Sequence, residues 1–296
     1  MPDSRLELWR RSIALFHEFK TAHWTGPFFL SGYKASHPSL PSYVVCRNFL
    51  DGGGRSCKPD IVSSSAGSWS VIELTLDDSS KEQDLNRYSG IPSNQLGNYG
   101  LVGPRTSPVV FSARLSQKDD GPFPSLILAD TMSTHNLSLV NDTTLRTSLE
   151  RAQGLSLLHV PEIPISFVPE SQPWEIRVGL VDFIMKVFEP GSQGLKITDI
   201  VDQGLDRLSS AVSVTDKEKL AKLIEAELRG LLTSKWGLHE DLVLKEGLLK
   251  VANDLSWHPR SLERVQRSIR AWAYRDSPER GPPLERYDGR AHKSGS

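Results

Sequence analysis

The sequence predicts a mixed α/β domain followed by a helical domain. An amphipathic segment opens the chain, and short runs rich in β-branched and aromatic residues follow it. After Pro173 the apolar residues recur instead at helical spacing. We therefore expect an α/β domain over residues 1–170, a helical domain over residues 171–275 and a disordered tail over residues 276–296.

Composition narrows the class of protein. The 296 residues, 38% of them hydrophobic, suffice for one large or two ordinary domains. A formal charge of −1 gives no overall attraction to nucleic acid, so such binding would depend on local patches. Two cysteines, Cys46 and Cys57, argue against a disulfide scaffold or a thiolate zinc site. With no apolar h-region and no apolar run near about 18 residues, we expect an intracellular protein, cytoplasmic or nuclear, without membrane association.

The first segment predicts a helix and a loop. Apolar residues at helical spacing, beginning with Leu6 and Trp9, indicate a helix from about Ser4 to Ala22 that covers a sheet. Glycine, proline and aromatic residues from Gly26 to Pro41 indicate a long loop. Its aromatic side chains would either stack on nucleic-acid bases or fix the loop to the domain.

Three strands are expected next. Tyr43–Phe49 suits the first strand, Asp60–Ser63 the second and Ser70–Leu76 the third. The glycine triplet in Asp51–Gly54 leads to a strand, so it indicates a tight turn and excludes a phosphate-binding loop, which would lead to a helix.

Two carboxylates occupy the second and third strands. Asp60 begins one strand and Glu73 lies in the next, and the Ser- and Gly-rich turn between them would form a hairpin. Two hard oxygen ligands at the open end of a sheet suit Mg²⁺. Val71, Glu73 and Thr75 share one face of the third strand, so Glu73 borders the core and needs a compensating cation. That cation is either a metal ion or one of the side chains Arg47, Lys58 and Arg87.

The Pro59–Asp60 pair and the later Glu73–Leu74–Thr75 resemble the PD-(D/E)xK phosphodiesterase superfamily, which has the restriction-endonuclease-like fold. The resemblance covers roughly residues 5–130. It implies a core ordered α-β-β-β-α-β in which Asp60, Glu73 and the main-chain carbonyl of Leu74 hold Mg²⁺ or Mn²⁺. Thr75 stands where the family usually has lysine, so the family pattern implies a cation taken from the next helix, for which Lys81 is the candidate.

Two helices contribute further candidates. The segment Lys81–Tyr88 is preceded by capping residues and predicts a helix with Lys81, Asp84 and Tyr88 on one face. In the family this helix packs by the active site, often with Gln where Asp84 stands here and with Tyr. The resemblance also implies an acid on the first helix that reaches the metal, usually through water. We favour Glu18 over Glu7, and the other interpretation is a solvated helix face.

The remaining elements of the first domain are simpler. Strands are expected at Pro108–Ala113 and Ser125–Ala129, a helix at about Thr143–Gln153 and a last strand at Ile163–Val168. A proline cluster from Pro161 to Pro173 indicates a hinge or a linker.

Four apolar stripes predict the helical domain. They cover Ile197–Val212, Thr215–Leu231, Leu242–Leu255 and Ser261–Tyr274, and Thr215 with Glu218 suggests a capping box. The last helix also carries a basic stripe. Its members, Arg260, Arg264, Arg267 and Arg275, would either neutralise phosphates or be solvated or paired with acids.

The leading hypothesis is therefore a nuclease that needs a divalent metal and cleaves phosphodiester bonds of DNA or RNA. Lys81 would orient the nucleophile, with Thr75 as a weaker hydrogen-bonding substitute for the absent lysine. The alternative is a catalytically inactive nuclease-fold module that binds nucleic acid or protein, and a third is an unrelated α/β domain. Whether the chain works as a homo-oligomer or in a protein complex stays open.

Overall fold

The computed structural model describes residues 5–15, 43–64, 68–75, 82–116, 122–154, 157, 165–252 and 259–276. These residues form a mixed α/β structure with two compact units. One unit holds the described residues of Met1–Ser171 and Lys196–Glu225, and the other those of Gln172–Leu195 and Ala226–Ser296. Within the described ranges, every helix is too short or too polar to cross a membrane.

The first unit is built on a mixed sheet with helices before, between and after its strands. Its elements are α1 Arg5–Ala14, β1 Tyr43–Val45, β2 Phe49–Leu50, β3 Ser56–Cys57, β4 Ile61–Ser64, β5 Trp69–Leu74, α2 Glu82–Ser89, β6 Val109–Arg114, β7 Ser125–Leu128, β8 Met132–His135 and α3 Thr143–Ala152. A 3₁₀ helix, Ser93–Tyr99, lies between α2 and β6.

Six of these strands form one sheet in the order β1-β4-β5-β6-β7-β8. The pairs β1/β4 and β4/β5 are antiparallel, β5/β6 and β6/β7 are parallel, and β7/β8 is antiparallel. The predicted hairpin of the second and third strands is confirmed, because Ile61 pairs with Ile72. Strand β8 was not predicted, since its sequence, Met132–His135, is mostly polar.

Both faces of the sheet are covered. Val62, Val71 and Val110 belong to one buried cluster with Leu85 and Tyr88 of α2. Since side chains alternate along a strand, the intervening residues of β4, β5 and β6 point to the opposite face. Helix α1 also packs on β5, β6 and β7. All six residues of β5 are consequently buried, which fits the apolar and small side chains that make up the strand apart from Glu73.

The glycine triplet forms the tight turn that was predicted. It joins β2 and β3, and Asp51 Oδ1 accepts hydrogen bonds from the N–H groups of Gly53 and Arg55 at 3.0 and 2.9 Å. Gly54 has a φ of +76°, which a residue with a Cβ rarely adopts. The first strand ends earlier than predicted, because Cys46 has a φ of +51° and turns the chain after Val45.

Other boundaries differ in informative ways. Residues 165–168, in the described part of the predicted last strand, are not in a strand. The helix expected over Ile197–Val212 is α5, Ile197–Leu205, followed by a 3₁₀ turn at Asp206–Leu208, because Asp206 has a φ of +47°. The next helix, α6 Val214–Leu231, is capped by Ser213 and Asp216 rather than by the predicted capping box.

The second unit contains helices and a hairpin. Pro173–Val187 forms α4 and Pro259–Ala273 forms α7. The short strand β9, Leu195–Lys196, begins at the last residue of the segment Gln172–Leu195. The helix predicted over Leu242–Leu255 is wrong for its described part. Instead, β10 Leu242–Lys245 pairs antiparallel with β11 Leu248–Val251. The two residues between them, Glu246 and Gly247, have φ values of +52° and +74°, which suit a two-residue hairpin turn and end any helix.

Candidate metal centre

A row of polar residues runs across neighbouring strands of the main sheet, at one end of those strands. The register pairs Val45 with Ile61 and Ile61 with Ile72, so one residue further along Cys46 neighbours Asp60 and Asp60 neighbours Glu73. Glu73 in turn pairs with Ser112 on β6. The end of β1, the start of β4 and the end of β5 therefore bring a thiol and two carboxyl groups together.

Asp60 is buried and its orientation is set by hydrogen bonds. Only 2% of the residue is exposed. Its Oδ2 accepts a hydrogen bond of 2.7 Å from the N–H of Leu74. Its Oδ1 lies 3.5 Å from Nη2 of Arg5, which extends from the first turn of α1. The strand β5 therefore fixes the position of Asp60 through the main chain.

Glu73 is buried beside it, with 3% of the residue exposed. Its Oε2 accepts a hydrogen bond of 3.2 Å from the hydroxyl of Tyr88 on α2. Tyr88 thus lies next to the site, on the helix face that the family resemblance indicated. The three side chains considered as counter-ions of Glu73 have contacts elsewhere. Lys58 is paired with Asp216, Arg47 donates to the carbonyl of Ala211, and Arg87 contacts Asp51.

A third carboxylate, Glu170, completes the cluster. Arg5 donates to Oε2 of Glu170 as well as approaching Asp60. One ligand atom each of Cys46, Asp60 and Glu170 lies within 4.8 Å of the other two. The side chains of Arg5 and Glu170 are 30% and 27% exposed, so solvent reaches the cluster on their side.

The charges of the cluster shift its pKa values strongly. Burial, then the nearby Glu73 and Glu170, hold the pKa of Asp60 well above its usual range, against the opposing effects of the Leu74 N–H and Arg5. Burial, then Glu170 and Asp60, also raise the pKa of the Cys46 thiol. Burial lowers the pKa of Arg5, but the carboxylates Glu170, Asp60 and Glu73 outweigh it and leave that pKa raised.

These directions have one common cause. Asp60, Glu73 and Glu170 present three carboxyl groups, and Arg5 contributes one guanidinium group near them. Two of the carboxyl groups are almost completely buried. A cluster of this kind favours the arrival of positive charge, either a proton or a metal ion. The oxygen donors fit Mg²⁺ and Mn²⁺, and the thiol adds one softer donor.

Thr75 and Leu74 have main-chain roles in the structure. Thr75 is buried, its N–H donates to the carbonyl of Ala113, and its hydroxyl lies 3.4 Å from that of Ser112. The hydroxyl of Ser112 also accepts a hydrogen bond of 3.0 Å from Nε of Arg114. Leu74, expected to offer its carbonyl to a metal, supplies its N–H to Asp60.

The remaining candidates belong to the other compact unit or fall outside the described residues. Glu18 and Lys81 fall outside the described residues. On α7, Arg264 is bound to both carboxylate oxygens of Asp241 at 2.8 and 2.6 Å, and Arg267 is exposed. The side chain of Arg260 lies outside the described set.

Sequence reasoning did not find three members of the cluster, Arg5, Cys46 and Glu170. Cys46 carried a partial signal, because it lies in the run Tyr43–Phe49 that was predicted as the first strand. Arg5 and Glu170 carried none, since 165 positions separate them from each other. Comparison of the chain with protein-family models, curated proteins and solved structures finds no match.

Proposed function

We propose that the chain is a nuclease that uses a divalent metal ion to hydrolyse phosphodiester bonds. The observation that supports the proposal most is that Asp60 and Glu73 are adjacent. They are two buried carboxyl groups at the same end of neighbouring strands. Burying both would be costly without positive charge, and in the described part of the chain Arg5 brings a guanidinium group to Asp60. A divalent cation such as Mg²⁺ or Mn²⁺ would balance the negative charge of these carboxyl groups.

The order of elements supports this proposal. Within the described ranges, helix α1, strands β1, β4 and β5, helix α2 and strand β6 occur in the order α-β-β-β-α-β when the small β2/β3 hairpin and the 3₁₀ helix Ser93–Tyr99 are set aside. Strands β1, β4, β5 and β6 are neighbours in the sheet, the first three antiparallel and the last parallel to β5. This order is compatible with the core that the restriction-endonuclease-like resemblance implies, in which Asp60 and Glu73 would be the metal-holding acids.

In this proposal the chain's own residues hold and shape the site. Asp60 and Glu73 would hold the cation, and Leu74 N–H and Tyr88 O–H would keep the two carboxylates in fixed orientations. The bound cation would lower the pKa of a water molecule and stabilise charge on phosphorus. Substrate would approach from the side on which Arg5 is partly exposed, and a guanidinium group there can contact a phosphate.

Further residues are proposed to contribute to catalysis or to substrate binding. Lys81 would orient the nucleophile, and Thr75 would assist by hydrogen bonding. Glu18 would contact the cation through water. DNA or RNA would be the substrate, bound in part through Arg260, Arg264 and Arg267. Arg264 is already paired with Asp241, so Arg267 is the more available of the two described arginines.

A cleavage assay tests the proposal. Labelled single- and double-stranded DNA and RNA are incubated with the protein in Mn²⁺ or EDTA. We expect cleavage by the wild type in Mn²⁺ only, and its loss in Asp60→Asn and Glu73→Gln. Asp142→Asn is the matched control, because Asp142 caps α3 away from the cluster and asparagine caps a helix equally well. Equal cleavage by the wild type and both site variants would eliminate the proposal.

One observation favours a second candidate, a nuclease-fold module without catalysis. Arg5 contacts both Asp60 and Glu170, so a guanidinium group already occupies part of the space near the carboxylates. Such a module would bind nucleic acid or protein and take up no metal. Calorimetric titration with Mn²⁺ separates the two candidates, since the inactive module predicts no binding that depends on both Asp60 and Glu73.

A further inference from the structure

The Cys46 thiol belongs to the cluster but has no role in a metal site built from oxygen ligands alone. Only 2% of Cys46 is exposed, and it is a free cysteine. Its sulfur lies within 4.8 Å of a carboxylate oxygen of Asp60 and of one of Glu170. Among the described residues, no hydrogen bond reaches this sulfur. A buried thiol therefore lies close enough to two carboxylates for the three groups to hold one metal ion.

The main chain keeps these groups together. The N–H of Cys46 donates to the carbonyl of Asp60 at 2.9 Å, as an extension of the β1/β4 ladder. Asp60 is held in turn by the N–H of Leu74. Two of the three donors are thus positioned by the sheet, and only Glu170 has to be brought in from a distant part of the chain.

We propose that Cys46, Asp60 and Glu170 form a mixed sulfur and oxygen site for a borderline divalent ion such as Zn²⁺ or Co²⁺. The proposal deepens the proposed function, since Asp60 belongs to both donor sets. Thiolate sulfur selects such ions over Mg²⁺, which takes oxygen ligands. When the ion binds, the thiol releases its proton to the solvent and sulfur forms the new bond, with no change of oxidation state.

The two donor sets share Asp60, and this has a functional consequence. An ion held by Cys46, Asp60 and Glu170 occupies a carboxylate that the Asp60–Glu73 set needs. Zinc would therefore compete with Mg²⁺ for the centre, and nuclease activity in Mg²⁺ would be inhibited by zinc. Arg5 would have to leave Asp60 and Glu170 as the borderline ion enters, because both kinds of cation compete for the same oxygens.

Cobalt provides a readout that does not depend on activity. Metal-free, full-length protein is titrated with Co²⁺, and the thiolate-to-cobalt charge-transfer band in the near ultraviolet is recorded. We expect a band that saturates at one ion per chain and is lost in Cys46→Ser, with Co²⁺ affinity reduced by at least the roughly 10–100-fold that loss of an outer-shell partner costs. Cys57→Ser is the matched control, because Cys57 is the other buried cysteine and lies in β3 outside this group.

The result that overturns the inference is a band that persists in Cys46→Ser, or one that is absent in the wild type. If Cys46→Ser does not fold, cadmium NMR of the Cys57→Ser protein tests sulfur coordination without any change at Cys46. A cadmium signal in the oxygen-only range would then refute the proposal. Failure of the nuclease proposal is separate, because it would appear as no cleavage in Mg²⁺ by a wild type that still gives the cobalt band.

Discussion

Replacing Asp60 by asparagine should stabilise the metal-free protein at any pH at which the Asp60 carboxyl group is ionised. Asparagine keeps the size of the side chain and an oxygen that can accept the hydrogen bond from Leu74 N–H, so the change removes mainly a charge. That charge is buried and lies among the carboxylates of Glu73 and Glu170. Removing the charge therefore relieves the repulsion from Glu73 and Glu170, but it also removes the attraction to Arg5.

The magnitude follows from the distances. At an effective dielectric constant of about 20, the 4.8 Å limit on the Asp60–Glu170 separation gives a repulsion of about 3.5 kcal/mol. Directly opposite strand residues have Cβ atoms about 5 Å apart, and a charge separation of about that size between Asp60 and Glu73 would add about 3.3 kcal/mol. The attraction to Arg5 at 3.5 Å is about 4.7 kcal/mol. Repulsion exceeds attraction by about 2 kcal/mol, which corresponds to a rise in Tm of about 4–8 °C for a unit of this size.

The pH dependence of the stability difference between Asp60→Asn and the wild type provides a second, independent test. A carboxyl group whose pKa is raised by folding contributes most stability below its unfolded pKa of about 3.9, and that contribution is lost as the pH rises through the folded pKa. Asparagine has no such dependence. The advantage of Asp60→Asn over the wild type should therefore be near zero at about pH 4 and full above the folded pKa of Asp60.

Thermal and urea unfolding in EDTA, at several pH values between about 4 and 8, measure this difference. Taking the difference between the two proteins at each pH cancels the titration of the other groups. An Asp60→Asn protein that is less stable than the wild type at a pH at which the Asp60 carboxyl group is ionised would refute the reasoning. That result would mean that the ion pair with Arg5 stabilises the fold and that the site needs no further cation.

Three further predictions address the site and its scaffold. Arg5→Gln should lower the Kd for Mn²⁺ by on the order of tenfold, because it removes a competing cation; calorimetry that found weaker binding would contradict this. Ser63→Ala should cost about 1–3 kcal/mol in urea unfolding, since it leaves the buried hydroxyl of Ser70 without its 2.8 Å partner, and removing both hydroxyls should restore most of that loss. Gly204→Ala should cost about 1–3 kcal/mol, because the new Cβ would lie 2.1 Å from the Phe167 ring; an unchanged urea midpoint would count against that packing.

Local patterns sufficed for the part of the site that lies on neighbouring strands. Asp60 and Glu73 come together because a short antiparallel hairpin sets its own register, and that register can be anticipated from two β-rich runs and a turn. The same holds for the glycine turn after β2. Glu170 and Arg5 depend on contacts between distant segments, which composition and periodicity do not encode.

The errors in the second half have a different physical origin. Leucines at 242, 244, 248 and 249 are compatible with a helix stripe or with two short strands. Glu246 and Gly247 have positive φ values, which a helix cannot contain and a two-residue hairpin turn requires. Likewise Asp206 ends α5 by adopting a positive φ, which an apolar stripe running on to Val212 cannot reveal.

The most direct test of the central claim is a count of Mn²⁺ ions bound to the metal-free chain, measured by electron paramagnetic resonance with the wild type, Asp60→Asn and Glu73→Gln. If the two buried carboxylates hold one cation, the wild type should bind an ion whose affinity falls by on the order of 100-fold in each variant. Binding that is absent in the wild type, or equally tight in all three proteins, would contradict the claim.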